Sequence, residues 1–127
     1  VKPVLTSDQI LTISFYQGEY YIGTYGGGMM VLDPGTLSLK YFAQGDTELF
    51  QKGHIFSVKP DAKGNLWIGT SHGLFCYNGQ TKQIIHFTSA NSQLPEGNVY
   101  EVSFDSTVKG WIATDTGMWI YDPASQS

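Results

Sequence analysis

The stretch Leu66-Trp67-Ile68-Gly69-Thr70, continued by Gly73-Leu74-Phe75-Cys76-Tyr77-Asn78, decides the fold, because the chain contains it three times. It returns as Gly110-Trp111-Ile112-Ala113-Thr114 with Gly117-Met118-Trp119-Ile120-Tyr121-Asp122. An earlier copy reads Tyr20-Tyr21-Ile22-Gly23-Thr24 with Gly28-Met29-Met30-Val31-Leu32-Asp33. Thr24, Thr70 and Thr114 are 46 and 44 residues apart, and in each copy a glycine stands five residues before the closing Asp or Asn. Self-similarity at such a period is the mark of a repeat architecture.

The repeat extends upstream. Leu5 to Ile13 aligns without gaps to Leu94 to Val102, and Phe50 to Val58 is the middle copy. Each unit predicts four short strands. The first carries Ile10, Ile13 and Phe15, or Val99, Val102 and Phe104; a polar turn such as Asp61 to Asn65 leads into the aromatic-Ile-small-Thr strand. A glycine-containing turn introduces the third strand, which Asp33-Pro34-Gly35, Asn78-Gly79 or Asp122-Pro123 closes with strong turn chemistry. The fourth strand is expected over Ser38 to Phe42 and Gln83 to Phe87. No stretch keeps a helical period over ten residues.

Four strands in a unit of this length fit a β-propeller blade better than a solenoid. The reading is an all-β chain of three four-stranded antiparallel blades, a single partial propeller with repeats at 5–48, 49–92 and 93–127. The complete ring would hold six to eight blades. Both faces of a blade pack on neighbours, so Leu66 and Ile68 should serve one face and Trp67 and Gly69 the other. Trp67 and Trp111 are expected to be buried between blades, with Gly23, Gly69 and Ala113 leaving space for an aromatic ring to lie flat.

These residues resemble the two-component regulator propeller repeat. Its signature, an Asp and a Gly ahead of Leu-Trp-Ile-Gly-Thr and then Gly-Leu-x-x-Tyr-Asp, is matched by Asp61, Gly64, Leu66 to Thr70, Gly73, Leu74, Tyr77 and Asn78. Leu94, Pro95 and Val99 match its lead-in. The first copy departs with Tyr20-Tyr21 and the longer turn Tyr25-Gly26-Gly27-Gly28, and the third with Ala113 for glycine. The resemblance implies a periplasmic sensor region of a hybrid histidine kinase or related regulator, of a type common in gut Bacteroidetes. There such propellers sense oligosaccharides and signal through a membrane helix to a kinase. Fold alone carries no function.

Composition narrows the field. All seven basic residues are lysines and the net charge is −4. Without arginine the usual bidentate reader of phosphates and guanine edges is missing, so nucleic acid is not expected as a partner, and an acidic polysaccharide is disfavoured. No apolar run reaches the ~18 residues that span a membrane. Cys76 lies in an apolar strand and reads as a small core residue. His54, His72 and His86 lack metal-ligand spacing. Gly26-Gly27-Gly28 precedes a strand, not a helix, and reads as a hairpin turn, not a phosphate loop. Asp61 and Asp105 read as turn residues. No Ser/His/Asp set with an oxyanion turn is recognisable, so neither catalytic nor metal-binding residues nor a cofactor is expected.

One site argument remains. Strands alternate in direction, so the lead-in to the first strand and the turn between the second and third share one end of every blade. That end collects Gln9, His54 and Asn98 from the lead-ins, and Tyr25, Ser71 with His72, and Asp115 with Thr116 from the turns. Here the copies differ most, while flanking residues stay alike. Shared positions build a repeat scaffold and variable loop positions are free for recognition. Gln9, Tyr25, His54, His72, Asn98 and Asp115 are therefore the expected ligand-binding residues, and polar groups beside an aromatic suit a sugar. Two other readings stand beside this one: a scaffold or protein-interaction propeller, and a propeller lyase or glycosidase, for which no paired carboxylates are visible.

The chain begins in a lead-in and has four residues after Pro123, so it is expected to be a piece of a larger ring. Open blade edges and apolar faces should make it self-associate, most simply as two half-rings about a two-fold axis, with an open stack or aggregation as the alternative. Val1 to Leu5 would then supply the outer strand of the partner's last blade.

Overall fold

The computed structural model describes residues 1, 3–5, 9–105 and 109–122. It contains three antiparallel sheets in chain order. The first joins β1 (Gln9–Tyr16), β2 (Glu19–Tyr25), β3 (Met29–Leu32) and β4 (Leu39–Tyr41) in that spatial order. After a short helix α1 (Thr47–Lys52), the second sheet joins β5 (Ile55–Pro60), β6 (Asn65–Thr70), β7 (Gly73–Asn78) and β8 (Gln83–Phe87). The third contains β9 (Val99–Phe104), β10 (Gly110–Thr114) and β11 (Gly117–Tyr121). A fourth strand there, and the role expected of Val1 to Leu5, involve positions 123–127 and 2, which lie outside the described residues. The first strands adjoin one another: β5 packs on β1 and β2, and β9 packs on β5 and β6. These are blades stacked by their inner strands, the propeller arrangement that the repeat predicts.

Two cores lie between the sheets. Tyr21, Met29 and Val31 of the first sheet meet Ile55, Val58, Leu66, Ile68, Phe75 and Tyr77 of the second, with Phe42, Leu49 and Phe50 completing the layer. Trp67 and Leu74 meet Leu94, Val99, Val102 and Ile112 of the third. Leu66 and Ile68 thus face backwards and Trp67 forwards, as period-two alternation requires.

The repeated threonine has a local purpose. The Thr24, Thr70 and Thr114 hydroxyls each donate at 2.9 Å to the carbonyl of the glycine at the start of the third strand (Gly28, Gly73, Gly117). Each also accepts a backbone N–H from within the turn, from Gly27, His72 and Thr116. One side chain therefore fixes both limbs of the hairpin, as short polar side chains do in turns.

The small residue two places after the aromatic has a different cause from the one expected. A Cβ on Gly23 would lie 2.8 Å from the Ile55 carbonyl oxygen, and one on Gly69 would lie 2.7 Å from that of Val99. The position is small because the inner strand of the next blade passes over it, not because a ring lies flat on it.

A second correction concerns tryptophan. Trp67 is 4% exposed but Trp111 is 39% exposed. Trp111 lies on the forward face of the third sheet, which no described residue covers as Val99 and Val102 cover Trp67.

The helix α1 falls below the ten-residue limit of the periodicity search. Asp46 caps it by accepting from the Leu49 N–H at 3.1 Å, and it drives Leu49 and Phe50 into the first core. Phe50 holds the repeat position of Leu94, which is also buried. Behind the helix, the Gly53 carbonyl accepts from Gly28 N–H at 2.9 Å and ties the second lead-in to the first blade.

Candidate functional site

Three register shifts at one repeat position shape the end of the sheets where β1, β5 and β9 begin. The ladder skips from Ile10 to Thr12, from Ile55 to Ser57, and from Glu101 to Val99. Leu11, Phe56 and Tyr100 are the extra residues. A bulge of this kind leaves one residue unpaired, bends the strand and re-aims the side chain. All three are apolar or aromatic, and each is exposed or half-buried.

Around them the six expected residues fall into three groups. Gln9 pairs across the ladder with Tyr25. Tyr25 stacks on His54 with ring centroids 4.1 Å apart, so Gln9, Tyr25 and His54 are neighbours. The His54 ring also packs over Gly26, and its Nδ1 is enclosed without a hydrogen-bond partner among the described residues.

Asn98 and Asp115 form the second group. The Asn98 backbone N–H donates to Asp115 Oδ2 at 2.9 Å, and Tyr100 Oη donates to Asp115 Oδ1 at 2.5 Å. The Tyr100 hydroxyl and the Asn98 N–H hold the Asp115 carboxyl below its ordinary range, and the same bond raises the Tyr100 phenol. Asp115 is therefore a carboxylate at neutral pH. Gly97, at φ +117, permits the approach, since a Cβ there would lie 2.9 Å from Asp115 Oδ2.

His72 stands apart. Its Nδ1 lies 3.6 Å from Asp46 Oδ2, and its carbonyl is bonded at 2.6 Å by His86 Nε2. It turns toward the outer strand β8, away from the inner-strand rim. His86 itself stacks on Phe75 at 4.1 Å, a satisfied structural position.

Sequence reasoning missed Phe56 and Tyr100, which connect the first two groups. His54 and Phe56 have centroids 6.1 Å apart, and Phe56 and Tyr100 5.0 Å. A signal was present. In β1 and β9 the apolar residues of one face run Ile10, Ile13, Phe15 and Val99, Val102, Phe104, and the first step of three breaks the alternation of a regular strand.

The remaining candidates resolve as structure. Asp61 accepts from Lys63 and Asn65 N–H and from Trp67 Nε1 at 2.9 Å. Asp105 likewise takes the Lys109 N–H and Trp111 Nε1. Burial pushes the Cys76 thiol up to about 12, which leaves no thiolate nucleophile near neutral pH. No His/Cys/Asp/Glu cluster fit for a metal occurs among the described residues, and no helix is long and apolar enough to cross a membrane. A cavity of about 280 Å³ lies between Leu74 and Phe87 of the second sheet, the loop 91–94, and Trp119 to Tyr121 of the third. It contains none of the six expected residues. Most of its wall is the same apolar surface that joins the second and third blades.

Comparison with known proteins supports the propeller fold. Residues 50–72 match the family model described as two component regulator propeller. The extracellular domain of BT3049 from B. thetaiotaomicron, described as a hybrid two component system, shares 29% identity over 97% of this chain with a TM-score of 0.72. That of BT4673 from the same organism, also described as a hybrid two component system, shares 26% over 94% with a TM-score of 0.70. A structure of BT4673 described as a one component system superimposes at a TM-score of 0.81 with 18% identity, a likeness of fold. The chain spans only 15% and 16% of the length of the first two. No curated protein matches it. These neighbours are extracellular domains, so the extracytoplasmic location expected of the chain is supported. Residues 50–72 are thus similar to the two component regulator propeller repeat, and the chain folds as stacked propeller blades like those of extracellular domains of hybrid two component systems.

Proposed function

We propose that this chain is a non-catalytic part of the extracytoplasmic sensor of a two-component signalling protein. It binds a small ligand, an oligosaccharide, and passes the signal to a kinase or regulator elsewhere in the parent. The observation that carries this reading is the convergence at the rim. Tyr25 stacked on His54 and Asn98 bonded to Asp115 lie at the end of the sheets where the repeats diverge, on a scaffold whose other repeat positions are spent on packing. Aromatic surface with a few convergent polar groups is the usual make-up of a small-molecule site. Gln9 extends the Tyr25 and His54 group, whereas His72, turned toward Asp46 and β8, lies outside it.

The scaffold reading draws on a different observation, the exposed apolar face of Trp111, Met118 and Ile120. In a parent ring this face belongs against a further blade; in the isolated chain it would meet a second copy as half of a ring. A reporter of the parent's transcriptional output separates the two readings. A sensor responds to added oligosaccharide and loses the response when His54 and Asn98 are both changed to Ala. Output indifferent to every sugar, and to that double change, contradicts the sensor reading and favours a scaffold.

A further inference from the structure

We infer that the row Tyr25–His54–Phe56–Tyr100, closed by Asn98 and Asp115, is the platform on which a neutral linear oligosaccharide lies, with Phe56 and Tyr100 as its stacking residues. The inference rests on the ligand-sensing reading and adds the residues and the ligand's charge.

The bulge is repeated while the residue on it is not. The same ladder shift in three sheets projects Leu11, Phe56 and Tyr100 from the three inner strands. A shift needed only for curvature would be served by any side chain. In the second and third blades the projected residue is aromatic: Phe56 lies against His54 of its own lead-in, and Tyr100 against Phe56 of the preceding blade. The result is a continuous line of four rings across three blades, with centroid steps of 4.1, 6.1 and 5.0 Å. Its ends remain in water, since Tyr25 is 56% exposed and Tyr100 42%. Contiguous exposed rings of this kind mark a binding surface more often than they serve folding.

The polar end restricts what can lie on the rings. A pyranose offers a flat C–H face for an aromatic ring and hydroxyls around its edge. Those hydroxyls can donate to the Asp115 carboxylate and exchange bonds with the Asn98 amide and the Tyr100 hydroxyl, which already meet there. A purely apolar ligand would take that carboxylate out of water and add no hydrogen bond to those from Asn98 and Tyr100, which is costly for a charged group. A polyanion would meet an ionised Asp115 in a chain without arginine. A neutral glycan satisfies both halves of the surface.

The test is titration of the 127-residue chain with neutral linear gluco-, manno- and xylo-hexasaccharides, and with a heparin hexasaccharide, read by calorimetry and by ¹H–¹⁵N chemical shifts. At least one neutral hexasaccharide should bind, with shifts at Phe56, Tyr100 and Asn98. Phe56→Ala and Tyr100→Ala should each weaken it 10-fold or more, and Trp111→Ala, remote from the rim, should not. Should the Phe56→Ala chain melt too readily to assay, Phe56→Leu and Tyr100→Leu keep apolar volume but remove the ring, and each should still lose at least 5-fold. Full affinity in the Phe56 and Tyr100 variants, or shifts confined to the cavity beside Trp119, would overturn the stacking row while leaving a sugar sensor in place. Preference for the heparin fragment, or no binding of any neutral hexasaccharide, would overturn the ligand class. The reporter response to sugars judges the sensor reading separately.

Discussion

Trp67 and Trp111 make the same local bond and live in different surroundings. Each indole Nε1 donates at 2.9 Å to the turn aspartate six residues earlier, Asp61 or Asp105. Yet Trp67 is enclosed by rings of its own sheet and the next (Phe87, Phe104 and Tyr121), and Trp111 faces outward. The same contrast runs through the repeat. Val58 and Val102 are 0% and 1% exposed, whereas Ile13, at the same position in the first blade, is 58% exposed. Met29 and Leu74 are at 0% and 1%, and their counterpart Met118 is at 69%. Local sequence therefore builds the blade, and the neighbouring blade decides whether a face is core. Nearest-neighbour interfaces are how stacked repeats gain stability.

The largest effect should come from deleting the indole in the two places. Trp67→Ala should cost about 3–5 kcal/mol, the range for large aromatic cores. Trp111→Ala should cost about 1 kcal/mol, since it loses one exposed hydrogen bond and little packing. Urea unfolding of both variants measures the difference, and equal losses would break the comparison.

Next comes the residue under the passing strand. Gly69→Ala places a methyl against the Val99 backbone and should cost about 1–3 kcal/mol by overpacking. Ala113, at the same position in the third blade, is tolerated because no described strand crosses it. Ala113→Gly should therefore shift the melting temperature much less than Gly69→Ala does.

The smallest effect concerns the rim. Asp115 is held below its ordinary range by Tyr100 and Asn98, so its contribution to stability is present at neutral pH and lost as pH falls through the lowered folded-state value. Tyr100 is raised, so its contribution is present below the ordinary phenol range and lost only in strong base. Tyr100→Phe should flatten the acid side of a melting-temperature profile slightly. An unchanged acid limb would mean that the bond does not hold Asp115 in solution.

The difference between the middle and outer blades also explains what could be read from sequence. Strands, turns and blade count were legible because Thr24, Thr70 and Thr114, with their glycines, recur at a fixed period and act locally. The end of the sheets that gathers Gln9, Tyr25, His54, Asn98 and Asp115 followed from strand direction alone. Burial of Trp111 was not legible, because it depends on a neighbour rather than on its own segment. The turn of His72 toward Asp46 and His86 depends on α1, whose single buried pair, Leu49 and Phe50, is too short for a periodic signal. Phe56 and Tyr100 escaped notice because a bulge breaks the alternation by which side chains are assigned to faces.

Sedimentation of the isolated chain tests most directly whether the exposed outer faces are halves of blade interfaces. At tens of micromolar the chain should run heavier than its 14.0 kDa mass, as a dimer of half-rings, and Met118→Asp on the forward face should return it to monomer. A single 14.0 kDa species at that concentration, with Met118→Asp unchanged in mass, would contradict it.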